Sequence, residues 1–585
     1  MGLLQLPIEV LIIIANLTLP YSVEDFSLTC SRLHDAAKTF LPRHNHLRSK
    51  YRSISFKEGG LEKVSDLLAE IAADPIIAAY IVHLDLGDRQ FCGDGEIDDA
   101  YIEKMTEKLA PLVLGSPHLA MLSDGDDGLA RFWLREIVRD VDYCFEGDQE
   151  AEFNIPFLVS LLTHVETLIL PEEWCDFDVL ILPDSKHPVA AMMQLLVTRA
   201  NDRTLKDQPL QRLRAIYPAR EIGEQFGTEM ELIFPFMALD SLRELRLWRG
   251  HCQYEEEQNE ATPFKPLGRN LEVIKLRDYV INGGSAGFLF EHIQNLRIFE
   301  MEYSTKDEIG YAFDADLFVR FLIKNTFASL ERLVLTGVQV WPDTNVLDSS
   351  LRKFTRLKHL EISTVFLVNG IGAMGPKFVE EYFDTEEEES SDEGDSCDDE
   401  GSHEWDDEEG DKGYHEDDGE EEGIAKMYEG DDYEARDMSE AEDDHQVAGS
   451  EGYENDDAVD DEEHINSLDS LFHPDDKQKR YKSGSVVWRL VSVLPESLET
   501  LVIHTPAAPR NSACVERMFW QFQALRPERF PRLERIEVRV NQMDCWGRPL
   551  DGAAEQVARL RTFFAGKDIL TGFEVVDVVR GTPVW

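Results

Sequence analysis

The chain has 585 residues, a formal net charge of −57, and 43% apolar and 10% aromatic residues. A chain of this length exceeds the size at which one compact core keeps growing, so several domains or an extended stack of repeated units are expected. The acidity argues against nucleic acid as a partner, because phosphates would be repelled rather than neutralised.

The charge is concentrated. Asp384 to Glu463 holds 40 acidic and 3 basic residues, a net −37, which leaves −20 for everything else. The eight cysteines (Cys30, Cys92, Cys144, Cys175, Cys252, Cys397, Cys514, Cys545) are scattered without a CxxC pair. That pattern fits reduced thiols in the cytoplasm or nucleus. No basic region precedes the first apolar stretch, and Pro7 and Glu9 interrupt it, so a signal peptide is not expected. Val10 to Ala15 falls far short of the ~20 apolar residues that span a bilayer, so no membrane partner is expected.

From the start of the chain, Pro7 stands where a helix begins and its missing N–H costs nothing. Pro7, Val10, Leu11 and Ile14 then share one helical face. Pro20 closes that helix. Ser22 is placed to cap a second one, with Asp25 completing a capping box. In that second helix Phe26, Thr29, Cys30 and Leu33 share a side while Leu28 points elsewhere. A piece of about 40 residues with apolar groups on several faces is too small to bury them alone.

These residues resemble the F-box family: Leu6-Pro7-x-Glu9-Val10-Leu11-x-x-Ile14, then Asp25-Phe26, Cys30, Leu33, Ala36-Ala37 and Leu41. Leu33 stands where many members carry Trp, and Phe26 where Leu is usual. The resemblance implies a three-helix module that docks on a Skp-type adaptor and, through it, a cullin–RING ubiquitin ligase. It also implies that Leu6, Pro7, Val10, Leu11, Ile14, Leu28 and Cys30 contribute to the adaptor contact. The competing reading is an ordinary helical cap closing the first repeat.

Helical periodicity follows at Leu61–Ala73, Tyr101–Leu114 and Leu129–Val141, with Asp85–Asp99 read as a loop. The organising pattern is Leu242-Arg-Glu-Leu245-Arg-Leu247, a short strand with one apolar and one polar face. Such a strand needs copies alongside it. They occur at Leu271–Leu276, Leu296–Met301, Leu330–Leu335 and Leu357–Ile362, with starts about 29, 25, 34 and 27 residues apart, near the leucine-rich-repeat period. Weaker copies lie at Ile81–Leu86, Val165–Leu170 and Leu213–Ile216, and two more at Leu498–Ile503 and Leu533–Val538. Asp314–Lys324 is expected as a helix between strands, and Ser350–Phe354 as a short turn. Many leucine-rich repeats carry Asn or Cys eight positions after the first leucine. This chain has Gly250, Tyr279, Ser304, Val338 and Val365 there, so irregular units are expected.

Thr385 to about Ser467 is nearly pure Asp, Glu, Gly and Ser and cannot bury enough apolar surface to offset ordering entropy, so disorder is expected. Lengthening a connection from ~25 to ~140 residues costs only ~1.5 kcal/mol of closure entropy, so the repeats are expected to resume beyond it. Attraction of a basic partner, and phosphorylation at Ser390 or Ser396, are further readings of this tract. Helices at Val486–Val493, Val515–Leu525 and Ala553–Phe564, a closing strand at Phe573–Val575 and Trp585 over the open end complete the chain.

The expected fold is thus α/β: a three-helix F-box over residues 1–50, a helical linker with irregular first repeats (51–160), a leucine-rich-repeat-like solenoid (161–375), a disordered acidic insertion (376–480) and C-terminal repeat units (481–585). By resemblance the function is substrate recognition for an SCF-type ubiquitin ligase, a non-catalytic role with no cofactor or metal and an unidentified protein target. The polar strand face would meet that target through Glu244, Arg246, Trp248, Lys275, Arg277, Glu300, Glu302, Arg332, His359, Glu361, His504, Arg535 and Arg539. A ligase-independent scaffold and an acidic chaperone for basic proteins remain alternatives. Gly283-Gly284-Ser285-Ala286-Gly287 matches the G-x-S-x-G elbow of hydrolases in form, but its glycines are better read as turn formers.

Overall fold

The computed structural model describes residues 2–56, 64–87, 99–123, 127–139, 153–171, 174–175, 180, 187–217, 229–252, 264–281, 283–303, 315–337, 347, 349–367, 490–506, 515–519, 522–541, 552–565 and 573–578. The acidic tract, the basic run Lys477–Lys482 and Trp585 lie outside the described residues.

Four helices open the chain: α1 (Ile8–Leu17), α2 (Val23–Thr29), α3 (Ser31–Ala37) and α4 (Leu41–Tyr51). Pro7 is the N-cap of α1, as its fixed φ predicts. Two local expectations fail. Ser22 occupies the N-cap of α2, but its side chain makes no capping bond. The single second helix is also broken at Cys30, whose backbone is extended (φ −164°, ψ 165°). The break turns α3 so that Leu33 and Ala36 close over Leu11.

Among the described residues, twelve strands follow in one sheet: β1 (Ser53–Ser55), β2 (His83–Asp85), β3 (Thr167–Ile169), β4 (Ala215–Tyr217), β5 (Glu244–Cys252), β6 (Val273–Ile281), β7 (Ile298–Tyr303), β8 (Arg332–Gly337), β9 (His359–Ser363), β10 (Thr500–Pro506), β11 (Arg535–Asn541) and β12 (Phe573–Val578). Their spatial order is their chain order, and every neighbouring pair is parallel. Each expected strand is present; β1, which has no leucine pattern, is the addition. The sheet also crosses the acidic tract, since Thr500 pairs with His359 and Ile503 with Ile362.

Register follows from the leucine pattern. The first leucine of each unit (Leu242, Leu271, Leu296, Leu330, Leu357, Leu498, Leu533) is buried just ahead of its strand. The next residue donates its N–H to the equivalent residue of the preceding unit, and the residue after it donates to the same carbonyl. The carbonyls run Arg52, Val82, Glu166, Arg214, Arg243, Glu272, Arg297, Glu331, Lys358 and Glu499, with N···O distances of 2.8–3.2 Å throughout. Next, alternate strand residues turn inward. Leu245, Ile274, Phe299, Leu333, Leu360, Leu501 and Ile536 form one buried row, and Leu247, Leu276, Met301, Leu335, Ile362, Ile503 and Val538 a second. Helices such as Gly283–Phe290 and Ala315–Thr326 join the same core, where Phe299, Phe290 and Phe318 meet with ring centroids 5.3–5.5 Å apart.

The opening helices keep two small cores of their own, Leu11–Leu33–Ala36 and Ala15–Val23–Ala37. Leu47 and Tyr51 of α4 instead enter the main core, so α4 joins the two parts. Tyr21 reinforces the joint: its ring stacks on His164 at 3.7 Å, its hydroxyl donates to the Ala79 carbonyl, and Arg212 lies 5.4 Å from the ring centroid. Burial, helped by the Arg212 charge, pushes the His164 imidazole down to about 4. His164 is therefore neutral at pH 7, and its 3.9 Å approach to Asp207 is no ion pair there.

Two outcomes follow. Phe299→Ala empties the centre of an aromatic cluster and should lower unfolding free energy by about 3–5 kcal/mol, read from denaturant melting. The unfolded chain protonates His164 near pH 6.5 while the folded chain resists until about 4. Stability from this residue is therefore complete above pH ~6.5 and lost as pH falls towards 4, by up to about 2 kcal/mol between pH 7 and 5. The loss should be absent in His164→Gln melted over the same range.

Candidate functional site

Two surfaces concentrate the expected contact residues, and each is built by the geometry just described.

The first is the outer side of α1 and α2. Nearly every residue of α1 is apolar (Ile8-Glu-Val-Leu-Ile-Ile-Ile-Ala-Asn-Leu17), so one side buries Leu11 and Ala15 and the other stays exposed among the described residues. Val10 is 37% exposed, Ile13 59%, Leu17 77% and, on α2, Leu28 82%. Leu3, Leu4 and Ile8 are exposed as well. Single exposed leucines are ordinary, but this many on one short module is unusual for a surface left to water.

The expected adaptor set divides here. Pro7, Val10 and Leu28 lie on the exposed side. Leu11 does not: it is fully buried against Leu33 and Ala36, and its assignment to a partner contact is corrected to the module's own core. Leu6, Ile14 and Cys30 are half-buried and packed against that same core. Ile8, Ile13 and Leu17, outside the expected set, are exposed on α1 too. A helix that is apolar all round carries no polar side to mark outside from inside, and only the packing of α3 decides between them.

The second surface is the polar face of the sheet. Register aligns Arg246, Lys275, Glu300, Val334, Glu361, Val502 and Glu537 in one row, flanked by Glu244, Val273, Ile298, Arg332, His359, Thr500 and Arg535 and by Trp248, Arg277, Glu302, Thr336, Ser363, His504 and Arg539. At β4–β6, Arg246 lies over Tyr217 at 5.0 Å and Arg277 over Trp248 at 4.7 Å. Arg246 bonds Glu244, Lys275 bonds Glu300 at 2.8 Å, and Arg277 approaches Glu302 at 3.4 Å. Just past Trp248 both strands bulge: Arg249 (φ 44°) and Asp278 (φ 54°) adopt left-handed backbone and face each other at 3.5 Å. The shift turns Tyr279 into the core, where its hydroxyl donates to the His251 carbonyl at 3.0 Å.

Across β7–β11 the ion pairs form a continuous chain. Glu300 accepts from Arg332 at 2.6 Å; Glu361 accepts from Arg539 and bonds His504 at 2.7 Å, with Arg332 3.7 Å away; Glu537 accepts from Arg535 at 2.7 Å and from Arg539. Burial opposes ionisation of Glu361, but the His359 and His504 bonds and the Arg539 charge outweigh it and hold the carboxyl far below the usual range. Glu300 is likewise lowered, burial being overcome by Lys275 and Arg332. Glu361, expected to contact a target, is buried beneath these guanidinium and imidazole groups and is corrected to their support. Glu537, absent from the expected set, plays the same part on β11. Its signal was the Arg535-x-Glu537-x-Arg539 alternation, three residues on one strand face.

Ser285 is fully buried on the helix Gly283–Phe290. Among the described residues, no group of three or more His, Cys, Asp and Glu is placed to hold a metal ion, and no helix is long and apolar enough to cross a membrane. No family model, curated protein or solved structure matches this chain.

Replacing a core residue of α1 and an outward one should have opposite consequences. Leu11→Asp should melt the opening helices, at a cost of at least about 3 kcal/mol for an unpaired buried carboxylate, while Ile13→Asp leaves them intact. Amide hydrogen exchange over residues 8–37 separates the two.

Proposed function

We propose that the chain is an F-box protein: the substrate-recognition subunit of an SCF-type cullin–RING ubiquitin ligase. In this reading α1–α3 hold a Skp-type adaptor and the strand face holds a target. The observation that carries it is the uncovered apolar side of α1 and α2 on a module with its own separate core. Such a surface is half of an interface, and Leu6-Pro7-x-Glu9-Val10-Leu11 with the later Phe26, Cys30 and Leu33 is the motif of a family whose partner is an adaptor. Packing also suits that role, because no apolar side chain of α1 joins the main core, as those of a helix closing a solenoid end would.

The remaining chain is read as an irregular leucine-rich-repeat solenoid. Parallel sheets built by alternating crossovers are covered on both faces and read as continuous apolar runs. Here strictly sequential strands alternate apolar and polar, which suits crossovers kept to one side and a polar face left for ligands. Ligase chemistry would occur on other subunits, and the chain would act by raising the effective concentration of its target. Cytoplasm or nucleus is the corresponding location.

Affinity capture of the full-length chain, beside the double variant Ile13→Asp/Leu28→Asp, tests the adaptor assignment. The parent should retain a Skp-type adaptor and a cullin; the variant should lose at least tenfold of both with an unchanged melting temperature, since both side chains are exposed. A parent chain that captures neither overturns the reading.

A further inference from the structure

On β8–β11 the charged side chains are layered. The carboxylates lie deep, with 10% of the Glu361 side chain and 4% of Glu537 exposed, and the cations lie above them, with 36% of Arg332, 31% of Arg539 and 55% of Arg535 exposed. His359 and His504 complete the upper layer, both bonded to Glu361. A molecule approaching this face meets guanidinium and imidazole groups first. Each carboxylate fixes its cations from below, which removes the rotamer freedom that usually weakens an exposed Arg as a binding group. Although the chain is strongly acidic, screening confines electrostatics to about 8 Å at physiological ionic strength, so these local cations rather than the total charge meet a ligand.

Spacing defines the ligand further. Arg332 and Arg535 occupy one register row on β8 and β11, three strands apart. At about 4.8 Å per strand that is roughly 14 Å, the reach of four residues of extended chain at ~3.3 Å each.

We propose that the layer of Arg332, Arg535 and Arg539, with the imidazoles of His359 and His504 beside them, docks an extended, acidic segment of a partner protein, with anionic groups about four residues apart clamped between Arg332 and Arg535. The inference deepens the proposed role of this face as the target-binding surface and rests on it. Carboxylates and phosphoserine present the same paired anionic oxygens to an Arg fork, and either supplies the chemistry.

Fluorescence anisotropy on the full-length chain tests it with short labelled peptides of alternating Ser and Glu, their Gln and Lys counterparts, and a phosphoserine form. The Glu peptide should bind at least tenfold more tightly than the Gln or Lys peptide, and raising salt from 50 to 300 mM should weaken it severalfold. Tighter binding of the phosphoserine form would assign phosphate as the source, and equal or weaker binding carboxylate. Arg332→Gln/Arg535→Gln should lose at least tenfold in affinity while its melting temperature and its capture of the Skp-type adaptor stay unchanged. Equal binding of the Glu, Gln and Lys peptides, or unaltered Glu-peptide affinity in the folded double variant, overturns the inference. Adaptor capture read in parallel keeps the two questions apart. Peptide failure with adaptor retained sinks only this docking site, and adaptor failure with peptide retained sinks only the ligase reading.

Discussion

The structure depends on one repeated backbone contact: a carbonyl just ahead of each strand that accepts two N–H groups from the next unit. It recurs from Arg52 to Glu499 at 2.8–3.2 Å and uses no side-chain chemistry. Because the acceptor is main chain, the residue at that position varies freely among Arg, Glu, Lys and Val. What the position requires is a fixed offset from the buried leucine one residue earlier. Burial of that leucine sets depth, the shared carbonyl sets register, and the two together leave every second strand residue on the polar face. A slip of one residue would exchange Leu245 for Arg246 and put charge in the core.

The same contact explains how the sheet tolerates its long interruption. Lys358 receives Glu499 and Thr500 at 2.8 and 2.9 Å, the same distances as between units a few tens of residues apart. Closure entropy grows only with the logarithm of loop length, so the connection weighs little against a full strand pairing. At the other end, α4 anchors the opening helices with Leu47 and Tyr51, and the Tyr21–His164 stack adds a second attachment. The exposed side of α1 is therefore held on a braced platform.

Much of this was legible in the sequence. Ten of the twelve strands coincide with the leucine pattern and β12 with the expected closing strand, because in a repeated array each apolar period is reinforced by its neighbours. β1 was not, since Ser53-Ile54-Ser55 has one inward residue and borrows its order from β2. The orientation of α1 was not legible either: a helix with Ile or Leu on all sides satisfies any facing, and Leu11 rather than Ile13 is internal only because Cys30 breaks the next helix. On the sheet the polar rows were legible, but their layering was not. Glu361 and Arg332 look alike in an alternating pattern, and Glu361 sinks because Arg332, His504 and Arg539 converge on it from three strands.

Among the described residues each strand pairs with the strands before and after it in sequence and no others, and this locality limits how far damage travels. A lesion in β6 weakens β5 and β7 directly, whereas β2 or β11 feels it only through a relay of intervening pairs. Such a molecule behaves as a one-dimensional chain of coupled segments. It would fray from β1 and β12, each paired on one side among the described residues, and would respond to a central break by parting into two halves that each retain their internal order.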